Sequence, residues 1–255
     1  MSATADRPSP AAVARLVGQA AAEIRRRLLD ALPLAPVALP PELAAASGRW
    51  KDAPAAVAAE AWTGGPLRLV RVATVRGGPP DAPLAVANVL CLPRDEHPLP
   101  ILGVDLVALG APNAPLLAVA DLSPTLPSGG EGAAERERAL AALRDAVHPA
   151  AALAPLPAPA WAAEWLSPHA LHVRVAGEEA AAAIAAARAV VDAFLALARA
   201  SSPRPGLAPV VADARHRYLA AHRADESATR VLQRLRGEEW ARRFVREALF
   251  PDGPG

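Results

Sequence analysis

A single cysteine, Cys91, stands in a chain of 255 residues. No intramolecular disulfide can form, and no zinc or iron–sulfur site can be assembled on cysteines. Lysine is as scarce: Lys51 is the only one, so nearly all positive charge is arginine. With 28 prolines and heavy alanine usage, this reads as a genome-wide compositional bias, and arginine clusters lose weight as functional signals. The formal net charge of +1 gives no electrostatic reason to expect nucleic acid or a membrane surface as partner. No run of about 18 apolar residues free of charge and proline occurs, so no membrane span is expected. Residues 1–10 are polar and proline-containing, without an apolar stretch behind a basic start, and do not read as a signal peptide. The expected setting is cytoplasmic.

Several motif classes are missing as well. There is no G-x-G-x-x-G after a strand pattern, no G-x-x-x-x-G-K-S/T and no G-x-S-x-G. His169 and His172 are three apart, a spacing that puts them on opposite faces of a strand. His216 and His222 are six apart and do not share a helix face. No metal site is therefore expected. Redox chemistry in such a chain must use a bound pigment or an external electron donor.

The length suits one domain with a sizeable core and a small-molecule pocket. The expected layout is a flexible N-terminus over 1–10 and a single domain over 11–250. Residues 11–32 read as a helix, with Val13, Leu16, Val17, Ala20, Ile24 and Leu28 at three- and four-residue steps. Pro33 and Pro36 end it. Residues 33–66 read as a proline- and alanine-rich loop with a short strand near Val57–Trp62. Strand patterns follow over 67–75, 84–92, 99–109 and 116–122, separated by turn clusters such as Gly77-Gly78-Pro79-Pro80-Asp81. Short spacers imply hairpins and an antiparallel sheet. Strands apolar on both faces imply cover on both sides. A helix over 131–147, a surface loop over 149–160, a last strand over 169–176 and a long helix over 178–200 complete the middle. Residues 210–250 read as helical, with a break at Asp225-Glu226-Ser227 and a restart at Gly237. The expected architecture is a three-layer α/β/α sandwich around a central antiparallel sheet.

A few polar residues stand out against this pattern. Asp105 interrupts an apolar strand, Leu99-Pro-Ile-Leu-Gly-Val-Asp-Leu-Val. A carboxyl buried there would be held protonated, as a proton donor requires; the competing reading is a strand-end residue bonded to a loop. Hairpin pairing could set Asn88 beside it, as part of a site or as a satisfied core amide. Asp121 reads as a turn cap before Pro124. Asp225 and Glu226 precede a helix, where one of them could serve as N-cap. Arg71, on an inner strand, could snorkel outward or receive a carboxylate.

The runs around Asp105 and Ala118-Val-Ala-Asp-Leu-Ser-Pro resemble the central signature of the ferredoxin-dependent bilin reductases. Asp225-Glu-Ser-Ala-Thr-Arg-Val-Leu, followed by Gly237-Glu-Glu-Trp-Ala-Arg-Arg-Phe-Val-Arg-Glu-Ala-Leu-Phe, is similar to their closing segment. Leu32-Pro-Leu-Ala-Pro-Val-Ala-Leu-Pro-Pro-Glu-Leu and Trp161 with Leu166-Ser167 fit as well. These runs stand in the family's order and span residues 28–250, with 149–160 unmatched.

The resemblance implies a set of expectations about chemistry, all carried over from the family. The chain would reduce biliverdin IXα, held between the sheet and the C-terminal helices, in one-electron steps with site-specific protonation. It would bind no metal or organic cofactor and take electrons from a transient 2Fe–2S ferredoxin. A monomer is implied, with haem oxygenase as supplier of substrate. The central acid falls on Asp105. The second acid falls on Glu226, with Asp225 where the family usually has Asn. Asn88 stands where phycocyanobilin-forming members have His, and Arg71 aligns with their vinyl-protonating Glu. The implied product is therefore a dihydrobiliverdin or is phycoerythrobilin-like. Arg71 is counted with the pigment-binding residues; Arg174 and Arg215 are candidates for the propionates, or else surface residues. Arg234, Arg236, Arg242, Arg243 and Arg246 could form a basic face for an acidic ferredoxin, or a solvated helix face. Other implied readings are a non-catalytic bilin carrier of the same fold, a phycocyanobilin-forming enzyme and a reductase of chlorophyll catabolites.

Overall fold

A computed structural model of the chain describes residues 9–110 and 116–252. The expected flexible segment 1–10 thus falls almost wholly outside the described residues, as does most of the turn at 110–113. Helix α1 (Pro10–Ala31) starts at Ser9, whose side chain accepts a hydrogen bond from the Ala12 amide. Its inward residues are Val13, Val17, Ala20, Ala21, Ile24 and Leu28, close to the stripe read from sequence.

Eight strands form one antiparallel sheet: β1 (Ala35–Val37), β2 (Ala45–Trp50), β3 (Ala53–Gly64), β4 (Leu67–Gly77), β5 (Leu84–Pro93), β6 (Ile101–Ala108), β7 (Leu116–Ser123) and β8 (Leu171–Val175). Their order is β1-β3-β4-β5-β6-β7-β8, with β2 also pairing β3. Segment 33–66 corrects the sequence reading. It holds three strands and the short helix α2 (Pro41–Ala44) rather than a loop with one short strand. Alanine is a poor strand former, yet β3 alternates buried and exposed residues, and its pairing with β2 and β4 outweighs propensity.

Helices cover both faces. On one side lie α1, α3 (Ala133–Val147) and α4 (Glu178–Ala200), packed on Val72, Val89, Leu102, Leu106 and Leu122. Helix α4 is long and apolar enough by length and composition to cross a membrane, although Arg188 and Asp192 interrupt it; half of that stretch is buried inside the fold. On the other side lie α5 (Ala208–Ala224), α6 (Glu226–Arg236), α7 (Glu238–Phe244) and a closing π-helical turn, Val245–Leu249. They pack over Leu69, Ala73, Val75, Leu84, Leu90 and Ile101. The result is the three-layer arrangement expected from sequence.

Close approach of α6 to β2 depends on Gly48. A Cβ there would stand 2.3 Å from the Leu235 carbonyl oxygen. Arg236 Nη1 donates to the Ser47 carbonyl at 2.8 Å beside it. This seat holds the C-terminal end of α6 on β2.

Candidate active site

Successive side chains of a strand alternate between faces. The face turned to α5–α7 carries Arg71, Ala73 and Val75 from β4, Val86, Asn88 and Leu90 from β5, and Gly103, Asp105 and Val107 from β6; all border one cavity. The register sets Asn88 opposite Asp105, Asp105 opposite Val119, and Val119 opposite His172. The cavity has a volume of about 570 Å³, in the range of small-molecule sites. Its outer wall comes from Pro159, Trp161, Trp165, Tyr218, His222 and Phe250.

A hydrogen-bonded chain runs along the floor. Arg71 is fully buried. Its Nε and Nη2 donate to the Leu249 carbonyl at 3.0 and 2.7 Å, and its Nη1 donates to the Asn88 carbonyl and side-chain oxygen at 2.8 and 2.5 Å. Asn88 Nδ2 donates to Asp105 Oδ1 at 3.1 Å. Arginine only donates, so the Asn88 amide must turn its oxygen to Arg71 and its nitrogen to Asp105. The snorkelling reading of Arg71 is thereby corrected; it borders the cavity and pairs with no carboxylate among the described residues. It satisfies main-chain carbonyls and pins the C-terminal turn to the sheet. Burial lowers its pKa to about 10, with Tyr218 and Asp105 opposing the shift, and it stays a cation near neutral pH.

Asp105 lies on the cavity floor, partly buried. Burial pushes its pKa up to about 6; the Asn88 hydrogen bond and Arg71 pull it down, while Asp225 raises it. A substantial neutral fraction near pH 6 is the state of a proton donor. With Oδ1 engaged by Asn88, the proton of the neutral acid belongs on Oδ2. The strand-end reading of Asp105 is set aside by its position in mid-strand.

The C-terminal pair separates. Asp225 borders the cavity, whereas Glu226 is exposed and outside the cavity lining. Asp225 occupies the N-cap position of α6, but no side-chain capping bond is found there among the described residues. The capping explanation for it is therefore not realised. Of the propionate candidates, Arg174 borders the cavity, is exposed, and has no hydrogen-bond or ion-pair partner among the described residues. Arg215 does not border it. Its side chain is 3% exposed and grips Asp95, with Nη2 at 2.9 Å from Oδ1. It sits on the inward side of α5, where a buried cation requires a carboxylate partner. The basic face proposed for ferredoxin is largely neutralised internally. Arg242 pairs with Glu238, Arg243 with Glu42 and Glu247, Arg246 with Glu247, and Arg236 bonds the Ser47 carbonyl.

Asp121 is no simple turn cap. It is 1% exposed and accepts from Ser123 Oγ at 2.8 Å, the Ser167 amide at 3.1 Å and Ser167 Oγ at 2.6 Å. The segment before β8 is clamped again where the Leu156 amide donates to the His172 carbonyl at 2.7 Å. Between these two clamps, Pro159, Trp161 and Trp165 reach the cavity, so this stretch is a cavity wall rather than a plain surface loop. Sequence reasoning missed this wall, and with it Tyr218, His222, His172 and Phe250. Composition held the signal: of five Trp, one Tyr and three Phe, five border the cavity. Gly103 makes room for one of them, since a Cβ there would meet the Tyr218 hydroxyl at 3.2 Å. His172 faces the cavity from β8, while His169 lies in the turn before that strand and His216 is exposed.

No curated protein matches the chain at a significant level. Among solved structures, phytochromobilin synthase from tomato, crystallised in its selenomethionine form in complex with biliverdin, is similar in fold. The TM-score is 0.76 at 18% identity, over 93% of this chain and 82% of that one. Residues 21–251 match the family model described as ferredoxin-dependent bilin reductase. That match takes in the whole sheet, the Asn88–Asp105 pair and the C-terminal helices, and by it the chain belongs to the ferredoxin-dependent bilin reductases, a family of oxidoreductases.

Proposed function

We propose that this chain reduces biliverdin IXα with electrons from a reduced 2Fe–2S ferredoxin, in one-electron steps, each accompanied by a proton delivered at a defined pigment position. The observation that carries this reading is Asp105, a carboxyl with a pKa raised to about 6 in an apolar, aromatic-walled cavity. Saturating one double bond takes two electrons and two protons. A proton on the pigment before the electron arrives makes its π-system a better acceptor, and the neutral acid of Asp105 supplies it from the cavity floor. Arg71 holds Asn88, and Asn88 holds Asp105 in one orientation. Arg174, which has no hydrogen-bond or ion-pair partner among the described residues, offers the guanidinium that a pigment propionate would meet. No resident cofactor is assigned.

The product follows from where the acids are. The cavity-side residues of β4 are Leu69, Arg71, Ala73 and Val75; none is an acid, whichever of them matches the vinyl-protonating position of other members. Asn88 cannot deliver a proton as imidazole does. Donors remain at Asp105 and at Asp225, which borders the cavity where Glu226 does not. The D-ring vinyl group is therefore kept, and reduction falls on a methine bridge, the A-ring or both in turn, giving a dihydrobiliverdin or a phycoerythrobilin-like product. The test is anaerobic reaction of the purified protein with biliverdin, ferredoxin and an electron supply, followed by product chromatography. An ethyl-bearing phycocyanobilin would overturn the regiochemistry. A stable pigment complex that never turns over would favour a carrier.

A further inference from the structure

Away from the Asp105 row, one polar ring at the cavity is fixed in a single hydrogen-bonding state. His222 Nδ1 lies 2.9 Å from the Tyr218 carbonyl oxygen, one turn back along α5. A carbonyl can only accept, so Nδ1 carries the hydrogen. In the neutral ring, Nε2 is then a bare lone pair. Burial pushes the His222 pKa down to about 4, against the opposing pull of the Tyr218 carbonyl and Asp225, which keeps the ring neutral at physiological pH.

The ring is also held in place. Tyr218 stacks on it with centroids 3.8 Å apart, Trp161 meets it edge-on at 5.1 Å, and Phe250 is tilted against it at 5.2 Å. Nε2 has no hydrogen-bond partner among the described residues. It is not one of the occluded, unpartnered nitrogens either, a group that includes His172 Nδ1. His222 borders the cavity together with Asp225, three residues further on. Several other acceptors on the cavity wall are already engaged among the described residues: the Asn88 oxygen by Arg71, Asp105 Oδ1 by Asn88, and Asp121 by Ser123 and Ser167. The lactam oxygens and propionates of a linear tetrapyrrole cannot satisfy a lone pair, but its ring N–H groups can.

We propose that His222 Nε2 accepts a hydrogen bond from a ring N–H of the bound linear tetrapyrrole and so fixes the pigment's orientation relative to Asp105. This rests on the bilin-reductase reading above. His222 acts as a binding residue and not as a proton donor. Its loss loosens the pigment and lets reduction reach more than one position.

The test uses the whole chain labelled with 15N in histidine, with biliverdin as the probe. The His222 resonances are assigned by their loss in His222→Gln. In the free protein, Nδ1 should be protonated and Nε2 bare; one equivalent of biliverdin should move the Nε2 signal upfield, the direction of hydrogen-bond acceptance. His222→Phe keeps the stacking but removes the acceptor, and should weaken biliverdin binding about 5- to 10-fold and yield mixed products. His222→Gln, with a carbonyl acceptor, should recover part of the affinity. An unmoved Nε2 signal in protein whose visible spectrum shows bound pigment would overturn the assignment and leave the reductase reading intact. Wild-type affinity and a single product in His222→Phe would do the same. A wild-type protein that binds no biliverdin at all would overturn both.

Discussion

Asp105→Asn tests the group on which the proton chemistry turns, and it should produce two separable effects. The first is on stability. Burial raises the Asp105 pKa from 3.8 to about 6. Between those values the folded chain holds a proton that the unfolded chain has lost, so stability falls as pH rises through that window. Two pKa units correspond to roughly 3 kcal/mol, reduced to the order of 2 kcal/mol because solvent reaches the carboxyl through the open cavity. The amide pays no such penalty and still offers an oxygen to Asn88. Pigment-free Asp105→Asn should therefore unfold about 4 to 8 °C above wild type at pH 7, and the gap should close below about pH 4. The second effect is on turnover, which should fall about 100-fold or more with biliverdin affinity nearly unchanged, as expected on loss of a general acid. In the wild type, kcat/KM should decline as pH rises through about 6. Thermal unfolding across a pH series and single-turnover reduction under anaerobic conditions measure the two effects. A melting difference independent of pH, or wild-type turnover in Asp105→Asn, would refute the reasoning.

Other perturbations give distinct outcomes. Asp225→Asn should stop the second reduction and leave a two-electron product on the chromatogram, while Glu226→Gln should leave the product unchanged; the reverse pattern would move the second donor. Asp121→Ala removes the acceptor for both Ser123 and Ser167 and should cost about 3 kcal/mol. It should also open the 156–167 stretch to limited proteolysis in pigment-free protein, and an unchanged denaturation midpoint would count against the clamp. Asp95→Asn leaves the Arg215 guanidinium buried without its carboxylate and should cost about 3 to 5 kcal/mol in chemical denaturation, with biliverdin affinity intact; lost affinity would return Arg215 to the pigment site. Gly103→Ala sets a methyl 3.2 Å from the Tyr218 hydroxyl and should shift the absorbance of bound biliverdin while changing stability by about 1 kcal/mol or less; an unshifted spectrum would mean that Tyr218 does not touch the pigment.

The parts of this protein legible in sequence are those set by near neighbours. The stripe of α1 shows as a period of three to four, and the apolar runs of β4 to β7, with short turns between them, give an antiparallel sheet. The same locality makes the Asn88–Asp105 pair readable, since one hairpin register joins them. Where local signals conflict with packing they mislead. The alanines and prolines of 33–66 look like a loop, yet pairing with β4 turns Ala53–Gly64 into a long strand.

Asp121 and Arg215 show where sequence runs out. Each has the composition of a surface or turn residue, and each is buried because a partner arrives from elsewhere: Ser167 in one case, Asp95 in the other. Asp225 and Glu226 are adjacent, and no pattern distinguishes them; at the start of α6 one borders the cavity and the other is exposed to solvent. The sequence by itself determined strands β4 to β7, their hairpin pairing and the acid at the centre of the sheet, because these depend on alternation and short connections. Tertiary structure alone decided the aromatic wall, the fixed face of His222 and which acidic side chain reaches the cavity. Those depend on how helices distant in sequence dock on one face of the sheet, and docking is set by shape and burial, which no local pattern encodes.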